Sequence, residues 1–497
     1  MKLRTYLSLL LFLAGICLLH AQAPPEHGDL TLSGDIASSQ TGSYVEAPFT
    51  VPPGVDRISI ALSYTGKQDH SVLDLGLEDP DRPRGWSGGN KDHFTISVSD
   101  ATPSYLPGPV VPGKWKLLLG VANIRTGKTV HYTAAISFLM AGAPHVDSFA
   151  DEPLSTKPRW YRGDLHMHTG ESDGSCTSQS GKSVPCPVFV TVQAAVARGL
   201  NFIAITDHNT TAQYNDEREL QPFYDKLLLI SGREITTYRG HANVYGTTRS
   251  LDFRVEAPGK PSVQSLLAQA QRLGALVSIN HPVRNFGEAC IGCGWKPAAG
   301  NDMRNVNAIE AVNGVNPQFY LNDIAYWQQQ LNRGYRLTGL GGSDTHKPEQ
   351  KTTGDPTTVV YASDLSVTAI LDGIRAGRVF VDLTGSRDRM LEVEAVDDRG
   401  STVHMGDTLA SPHGRKAMLH VHVVGCAGSS VRITMDGETP AGLQPQPIAT
   451  ADQSVAVPWM SDGARHWIRA DVLSSDGHLQ LLGNPIYLNW NSAAATR

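Results

Sequence analysis

The stretch Trp160-Tyr-Arg-Gly-Asp-Leu-His-Met-His168 ends a strand-like run with two histidines. Residues two apart in a strand face the same way, so His166 and His168 can reach the same point in space. Further motifs follow at or near the ends of other runs that read as buried strands: Thr206-Asp-His-Asn209, Gly232-Arg-Glu234 with Gly240-His-Ala-Asn243, Asn280-His-Pro282 and Ser343-Asp-Thr-His346. This recurrence predicts one site assembled at the carboxyl ends of several strands.

Strand-like and helical runs alternate between these motifs. The strand-like runs lie at 202–206, 227–231, 276–279, 308–312 and 337–340, and the helical ones include 190–198, 262–273, 319–333 and 367–376. Repeated β-then-α units indicate parallel strands covered by helices. Residues 158–385 are therefore predicted to form an α/β domain, either a barrel or a doubly wound sheet.

The flanking segments have a different pattern of apolar and polar residues. Residues 24–145 and 386–497 contain short runs of alternating polarity that are broken by Gly, Pro, Asn and Asp, which is typical of β-sandwiches. The stretch 107–115 resembles the turn and strand of secreted jelly-roll domains. The sequence thus predicts an N-terminal jelly-roll-like sandwich, a linker near 141–158, the central domain and a C-terminal sandwich. A length of 497 residues suits about three domains.

The N-terminus has the features of a signal peptide. Lys2 and Arg4 precede an apolar run at 7–19, and Ala21-Gln-Ala23 has the form of a cleavage site. We expect cleavage near Ala23 and export to the periplasm or the medium. A lipoprotein signal ending at Cys17 is disfavoured because the preceding Ile16 is bulky. No later stretch has the length of a membrane span.

The charge balance limits the expected partners, and the cysteines of an exported chain are candidates for disulfides. The 42 basic and 48 acidic residues form no basic excess, so nucleic acid is not expected as a partner. Export favours disulfides, and we predict Cys176 with Cys186 and Cys290 with Cys293. A zinc ribbon built from these four cysteines is the weaker alternative, since only one pair is a Cys-x-x-Cys. Cys426 would remain unpaired.

The motifs supply nine candidate metal donors: His166, His168, Asp173, His208, Glu234, His241, His281, Asp344 and His346. Nitrogen and oxygen donors without thiolate suit Mn, Zn or Fe. Nine donors exceed the needs of one ion, so two or three divalent ions are expected, with Glu234 or Asp344 bridging. The pair His420-Val-His422 serves as an internal comparison: no acidic residue accompanies it in the sequence, and we interpret it as structural.

Together these motifs resemble those of the polymerase-and-histidinol-phosphatase (PHP) superfamily. The segments Gly232-Arg-Glu-Ile-Thr-Thr237, Gly240-His-Ala-Asn243 and Gly341-Gly-Ser-Asp-Thr-His346 resemble those of its carbaryl-hydrolase-like branch. The resemblance covers about residues 158–385 and implies a distorted (β/α)7 barrel with a trinuclear site. It implies His166, His168, Glu234 and Asp344 around one ion, Glu234, His241 and His281 around a second, and Asp173, His208 and His346 around a third. Some relatives carry His where this chain has Asp173, so the resemblance does not decide which metal is bound.

The expected activity is hydrolysis. A hydroxide that bridges two cations is predicted to attack a small phosphate mono- or diester, with Arg284 or Lys347 as a phosphate clamp and Asp207 orienting a ligand or carrying protons. For Arg284 and for Lys347, a role as an ordinary solvated surface charge is an equally good interpretation. One alternative is carbamate, ester or amide hydrolysis by the same water; another is a catalytically weak protein that binds carbohydrate or cell wall. The oligomeric state stays open.

Overall fold

A computed structural model describes residues 29–284, 287–290, 292–298, 300 and 302–490. The predicted signal peptide, residues 1–23, lies outside these ranges. In the described part of the chain no helix is long and apolar enough to cross a membrane. Five α-helices, four short 3-10 helices and 29 strands are present in the same ranges, so the protein is mostly β. The 3-10 segments are Ser38–Gln40, Lys67–Asp69, Gly287–Ala289 and Pro348–Gln350.

Two antiparallel sheets form the N-terminal part. Their strands are β1 (Leu30–Ala37), β2 (Tyr44–Val51), β3 (Val55–Tyr64), β4 (Val72–Glu78), β5 (Pro83–Gly88), β6 (His93–Ser97), β7 (Gly113–Asn123) and β8 (Thr129–Met140). The sheet orders are β1-β8-β3-β6 and β2-β7-β4-β5. Alternate side chains turn inward, so that Ile58 of one sheet and Leu75 and Trp115 of the other lie in one apolar core.

The central part contains most of the helices and the metal-ligand motifs. Its strands are β9 (Arg159–Asp164), β10 (Ser175–Thr177), β11 (Ser183–Pro185), β12 (Phe202–Ile205), β13 (Leu228–Thr237), β14 (Gly240–Tyr245), β15 (Leu276–Ile279), β16 (Ala308–Asn313), β17 (Thr338–Gly342), β18 (Thr357–Ala362) and β19 (Val379–Asp382). Its helices are α1 (Val188–Arg198), α2 (Gln213–Leu220), α3 (Val263–Arg272), α4 (Pro317–Asn332) and α5 (Val367–Arg375). The main sheet runs β17-β16-β15-β14-β13-β12-β9-β18-β19.

The (β/α)7 barrel expected from the resemblance is not what the strand pairing shows. Parallel pairs join β9 to β12, β12 to β13, β15 to β16 and β16 to β17. However, β14 is antiparallel to both of its neighbours, and β18 is antiparallel to β9 and β19. The physical reason is a tight hairpin: Gly240 has φ +133°, so β13 turns back directly into β14 without a crossover helix.

The carboxyl ends of β9 and β17 meet. The Asp344 amide donates to the His166 carbonyl at 2.8 Å, and the His168 amide donates to the Thr345 carbonyl at 2.9 Å. Met167 and Thr345 form a parallel bridge between the two segments. The segments that follow β9 and β17 therefore lie side by side and bring their histidines and carboxylates together.

The C-terminal strands extend the central sheet. They are β20 (Met390–Asp397), β21 (Thr402–His404), β22 (Thr408–Leu409), β23 (Lys416–Val424), β24 (Ser430–Met435), β25 (Gln446–Pro447), β26 (Asp452–Met460), β27 (His466–Leu473), β28 (Leu479–Gly483) and β29 (Ile486–Leu488). One sheet has the order β21-β20-β23-β26. The other joins the central sheet where β19 pairs with β28, so this sandwich shares a sheet with the domain before it.

A buried ionic cluster joins the N-terminal part to α2, the helix that follows His208. Asp100 accepts from Arg57 Nη2 at 2.8 Å and also pairs with Arg218 of α2. Arg57 in addition reaches Asp147 at 3.3 Å. All four side chains are buried, and each guanidinium faces a carboxylate, which offsets the cost of removing the charges from water.

Candidate metal centre

All nine predicted donors lie at one end of the central sheet. His166 and His168 follow β9, His208 follows β12, and His281 follows β15, while Glu234 and His241 lie within the β13–β14 hairpin. His281 and Asp344 have positive φ angles of +28° and +53°, a region that side chains rarely adopt. Such strain is concentrated at functional sites, where the surrounding structure enforces it. The fold thus brings together every donor that the motifs supplied.

Glu234 is the common contact of five imidazoles. Its Oε1 lies 3.3 Å from both His241 Nδ1 and His281 Nε2. Its Oε2 lies 2.9 Å from His208 Nδ1, 3.5 Å from His166 Nε2 and 3.6 Å from His168 Nε2. The carboxylate is 1% exposed, so it is a buried anion at the middle of the cluster.

Two further carboxylates face the same histidines from the solvent side. Asp344 Oδ1 lies 3.2 Å from His168 Nε2 and 3.4 Å from His166 Nε2. Asp173 Oδ1 lies 3.4 Å from His346 Nε2, and Asp173 Oδ2 lies 3.7 Å from a nitrogen of His208. The donor atoms fall into overlapping groups that could each hold an ion: His166, His168 and Asp344; His166, Glu234 and His281; His168, Asp173, His208 and His346.

Several donor atoms have no hydrogen-bond partner although they are buried. They are His166 Nε2, His168 Nδ1, His281 Nδ1 and both ring nitrogens of His241. A buried polar atom without a partner costs about 1–3 kcal/mol. A divalent cation would satisfy such nitrogens, and three carboxylates would balance its charge, so the residues present fit a metal group.

The charges of the cluster shift the pKa values of its members in opposite directions. Burial lowers the pKa of His166, but nearby carboxylates, first that of Asp344, outweigh it and raise that pKa well above its ordinary value. Burial also opposes protonation of His208, yet Asp173 and Glu234 raise its pKa to about 10. Burial raises the pKa of Glu234, but the histidines hold it well below its usual range. Without a cation, protons on imidazoles neutralise the carboxylates.

The structure adds Glu310, a residue that the motif search missed. Its Oε1 accepts from His166 Nδ1 at 2.9 Å, and its Oε2 accepts from the His281 amide at 2.9 Å and from Asn313 Nδ2 at 3.0 Å. Hydrogen bonds of this kind fix the ring orientation of a ligating histidine. The available signal was a charged residue in the middle of an apolar strand, Ala308-Ile-Glu-Ala-Val312.

Replacing Glu310 with glutamine is expected to weaken metal binding by ~10–100-fold, the usual effect of losing such a partner. Glutamine offers one acceptor oxygen where Glu310 uses two, so the His166 ring or the His281 amide loses its partner. Isothermal titration with Mn or Zn measures the change. The matched control is Glu394→Gln, because Glu394 lies between His404 and His420 across strands of the C-terminal sheet. Equal metal affinity in the two variants would contradict the positioning role.

The three predicted residues that are not metal donors lie in different settings. Asp207 is fully buried, and its carboxylate accepts from the Thr169 amide at 2.7 Å and the Thr169 hydroxyl at 2.6 Å, so it holds the loop that leads to Asp173. Arg284 is half-buried, stacks over the Phe319 ring at 4.5 Å and donates to the Asn313 carbonyl. Lys347 is exposed directly after His346.

Both predicted disulfides are present in the structure. Cys176–Cys186 joins β10 to the residue that follows β11, and this hairpin contacts the Asp173 loop because the Gly170 amide donates to the Cys186 carbonyl at 2.6 Å. Cys290–Cys293 closes a short loop beside the β13–β14 hairpin. Cys426 is a buried free thiol, and burial raises its pKa to about 11. The zinc-ribbon alternative is therefore wrong for the oxidised chain.

The comparison pair His420 and His422 lies in the C-terminal sheet, far along the chain from the centre. No acidic residue accompanies the pair in the sequence, but neighbouring strands supply two: His422 lies 2.9 Å from Asp452 and 3.3 Å from Glu392. The pair lines a cavity of about 710 Å³ together with Trp160 and Tyr361. Within the described ranges no group of three converging metal donors forms there.

Comparisons with known proteins give little beyond this geometry. No family model and no curated protein matches the chain. Among solved structures it is similar to a two-domain protein from Bacteroides vulgatus that contains a predicted PHP-like metal-dependent phosphoesterase, at 18% identity over 70% of this chain and 97% of that one, with a TM-score of 0.36. It is also similar to a family two carbohydrate esterase from Cellvibrio japonicus, at 13% identity over 65% of this chain and 94% of that one, with a TM-score of 0.12. Both scores are too low to carry an argument.

Proposed function

We propose that the protein is a metal-dependent hydrolase of the PHP type that cleaves small phosphate esters. One observation carries this proposal: nine nitrogen and oxygen donor residues converge, and five of their imidazoles surround the buried carboxylate of Glu234. A single histidine near a strand is usually structural, but five imidazoles around one carboxylate would be costly to bury without a cation. The proposed centre holds two or three divalent ions of Mn, Zn or Fe.

The family resemblance suggests how the ions would be shared, and most of the donors it assigns to each ion lie close together. His166, His168, Glu234 and Asp344 would hold the first, Glu234, His241 and His281 the second, and Asp173, His208 and His346 the third. Glu234 would bridge two of them, since its two oxygens face different histidines. When bound, such ions make a water nucleophile available at neutral pH and neutralise charge on a phosphoryl oxygen.

The remaining residues would position the reacting groups. We assign Lys347 to the phosphate, because this residue is exposed, directly follows His346 in the chain and carries a compact point charge for an anion. Arg284 would tie the turn after His281 to the end of β16, since its guanidinium already contacts the Asn313 carbonyl and Phe319. Asp207 would fix the Asp173 loop through Thr169.

A panel of substrates tests the reaction class. Nitrophenyl phosphate, bis-nitrophenyl phosphate, naphthyl carbamates and naphthyl esters are assayed with Mn or Zn. We expect the better phosphate to exceed every carbamate and ester in kcat/KM by more than tenfold, which corresponds to about 1.4 kcal/mol in the barrier. The reverse order would favour the carbaryl-hydrolase-like alternative. Purified protein that holds no transition metal and turns over none of the panel would favour a binding role.

Export is part of the proposal. The interpretation of the N-terminus as a signal peptide agrees with the two disulfides, because disulfides persist in oxidising compartments. The substrate would then be a small molecule met outside the cytoplasm.

A further inference from the structure

The Cys290–Cys293 disulfide lies against the histidines of the proposed second ion. The Sγ of Cys293 and ring nitrogens of His241 and His281 all lie within 4.8 Å of one another. Both rings are 4% exposed, and neither nitrogen of His241 nor Nδ1 of His281 has a hydrogen-bond partner. Glu234 Oε1 completes the surroundings at 3.3 Å from each ring. Two imidazoles and a sulfur therefore converge, and the Glu234 carboxylate contacts the same two rings.

Backbone contacts beside the disulfide also hold the residues that flank Cys293. Gly292 and Gly294 flank it with φ angles of +97° and +86°. A Cβ on Gly292 would lie 2.2 Å from the Thr237 carbonyl oxygen, and one on Gly294 would lie 2.5 Å from that of Arg284. Only glycine permits such close approach, so the loop is packed tightly against the β13–β14 hairpin and the His281 segment. The Trp295 amide, which donates to the Pro282 carbonyl at 2.7 Å, fixes the following turn.

We propose that this disulfide is a redox-controlled metal ligand: its reduction frees the Cys293 thiolate to join Glu234, His241 and His281 on one ion. The inference rests on the proposed metal site at these histidines. A dithiol reductant transfers two electrons and two protons, breaks the S–S bond, leaves two thiols and becomes a disulfide itself. Binding of Cys293 to the cation then releases the thiol proton to solvent.

The change of donor set would alter which metal is preferred. Oxidised, the site offers only nitrogen and oxygen donors, which accept Mn, Fe or Zn. Reduced, it offers two nitrogens, one oxygen and one thiolate, a four-donor set that suits tetrahedral zinc and disfavours manganese. Cys290 and Cys293 are both half-buried, so a small reductant can reach the bond. The loop would thus report the redox state of the compartment to the metal centre.

Cobalt(II) is the probe, because thiolate ligation gives an intense near-ultraviolet charge-transfer band and imidazole or carboxylate ligation does not. Cys290→Ser and Cys293→Ser form a matched pair, since each leaves one free thiol in the same loop and keeps Cys176–Cys186 and Cys426 unchanged. We expect the band in Cys290→Ser without reductant, its absence in Cys293→Ser, and its appearance in the wild type after reduction by dithiothreitol and removal of the reagent under argon.

Cobalt content and phosphatase activity of the oxidised wild type are measured separately, so the proposed function is judged on its own. Cobalt bound by the oxidised wild type, with no band in Cys290→Ser or in the reduced wild type, overturns the redox-ligand proposal alone. Equal bands in the two serine variants overturn it as well, because Cys293 would then have no special place. Should Cys290→Ser fail to fold, the reduced wild type decides.

Discussion

Glu234→Ala is expected to lower both phosphoesterase activity and bound metal by more than ~100-fold, beyond the effect of losing an outer hydrogen-bond partner. The side chain contacts His208 at 2.9 Å and His241 and His281 at 3.3 Å each. Its loss leaves five imidazoles facing one another without the central anion, so cations bound there would lose a ligand and repel each other. Inductively coupled plasma mass spectrometry of the purified variant measures the bound metal, and the substrate panel measures the activity.

Matched changes elsewhere should leave both quantities intact. Glu394→Ala removes a carboxylate that also lies between two histidines across strands, and His420→Ala and His422→Ala remove the comparison pair. His168→Ala should behave like Glu234→Ala, because its Nε2 contacts both Asp344 and Glu234. Wild-type metal content in Glu234→Ala would sink the bridging assignment, whatever the activity.

Much of the fold could be predicted from the sequence because hydrophobic periodicity reports burial. The helices predicted at 190–198, 262–273, 319–333 and 367–376 match α1, α3, α4 and α5 within about two residues at each end. Ser262 and Ser366 accept from the backbone amides three residues on, as helix caps do. Helix α2 is not predicted, since Gln213–Leu220 is mostly polar. It is buried through Tyr214, which packs in an apolar cluster, and through Arg218, which pairs with Asp100 of the N-terminal part.

The site was predictable for the residues that stand in motifs and unpredictable for those that do not. A predicted donor such as His208 follows shortly after a buried strand, so its place at the sheet end can be read from the chain. Glu310 acts through His166, which lies 144 positions away, and only the folded sheet brings them together. The antiparallel course of β14 was missed for a similar reason, because a short apolar run does not reveal its direction.

The metal-free protein is expected to lose stability as pH rises from about 6.5 to 10, whereas the stabilisation provided by metal should grow over the same range. His208 has a folded-state pKa of about 10 against an ordinary value of 6.5. A group whose pKa is raised by folding contributes stability that is complete below its unfolded pKa and lost as pH passes the folded one. The pKa values of His166, His281 and His346 are raised as well, so they add to the same slope.

Metal binding must displace those protons, so its affinity increases with pH while the lowered pKa values of Glu234 and Asp344 keep both carboxylates ionised. Thermal unfolding of chelator-treated and Mn-loaded protein, followed between about pH 6 and pH 9, measures the two slopes. The Tm of the metal-free form should fall and the increment due to Mn should rise. His208→Gln should flatten the metal-free slope, since it removes one proton that folding holds. An increment that stays constant with pH would mean that metal binding releases no protons from these histidines, which would contradict this prediction.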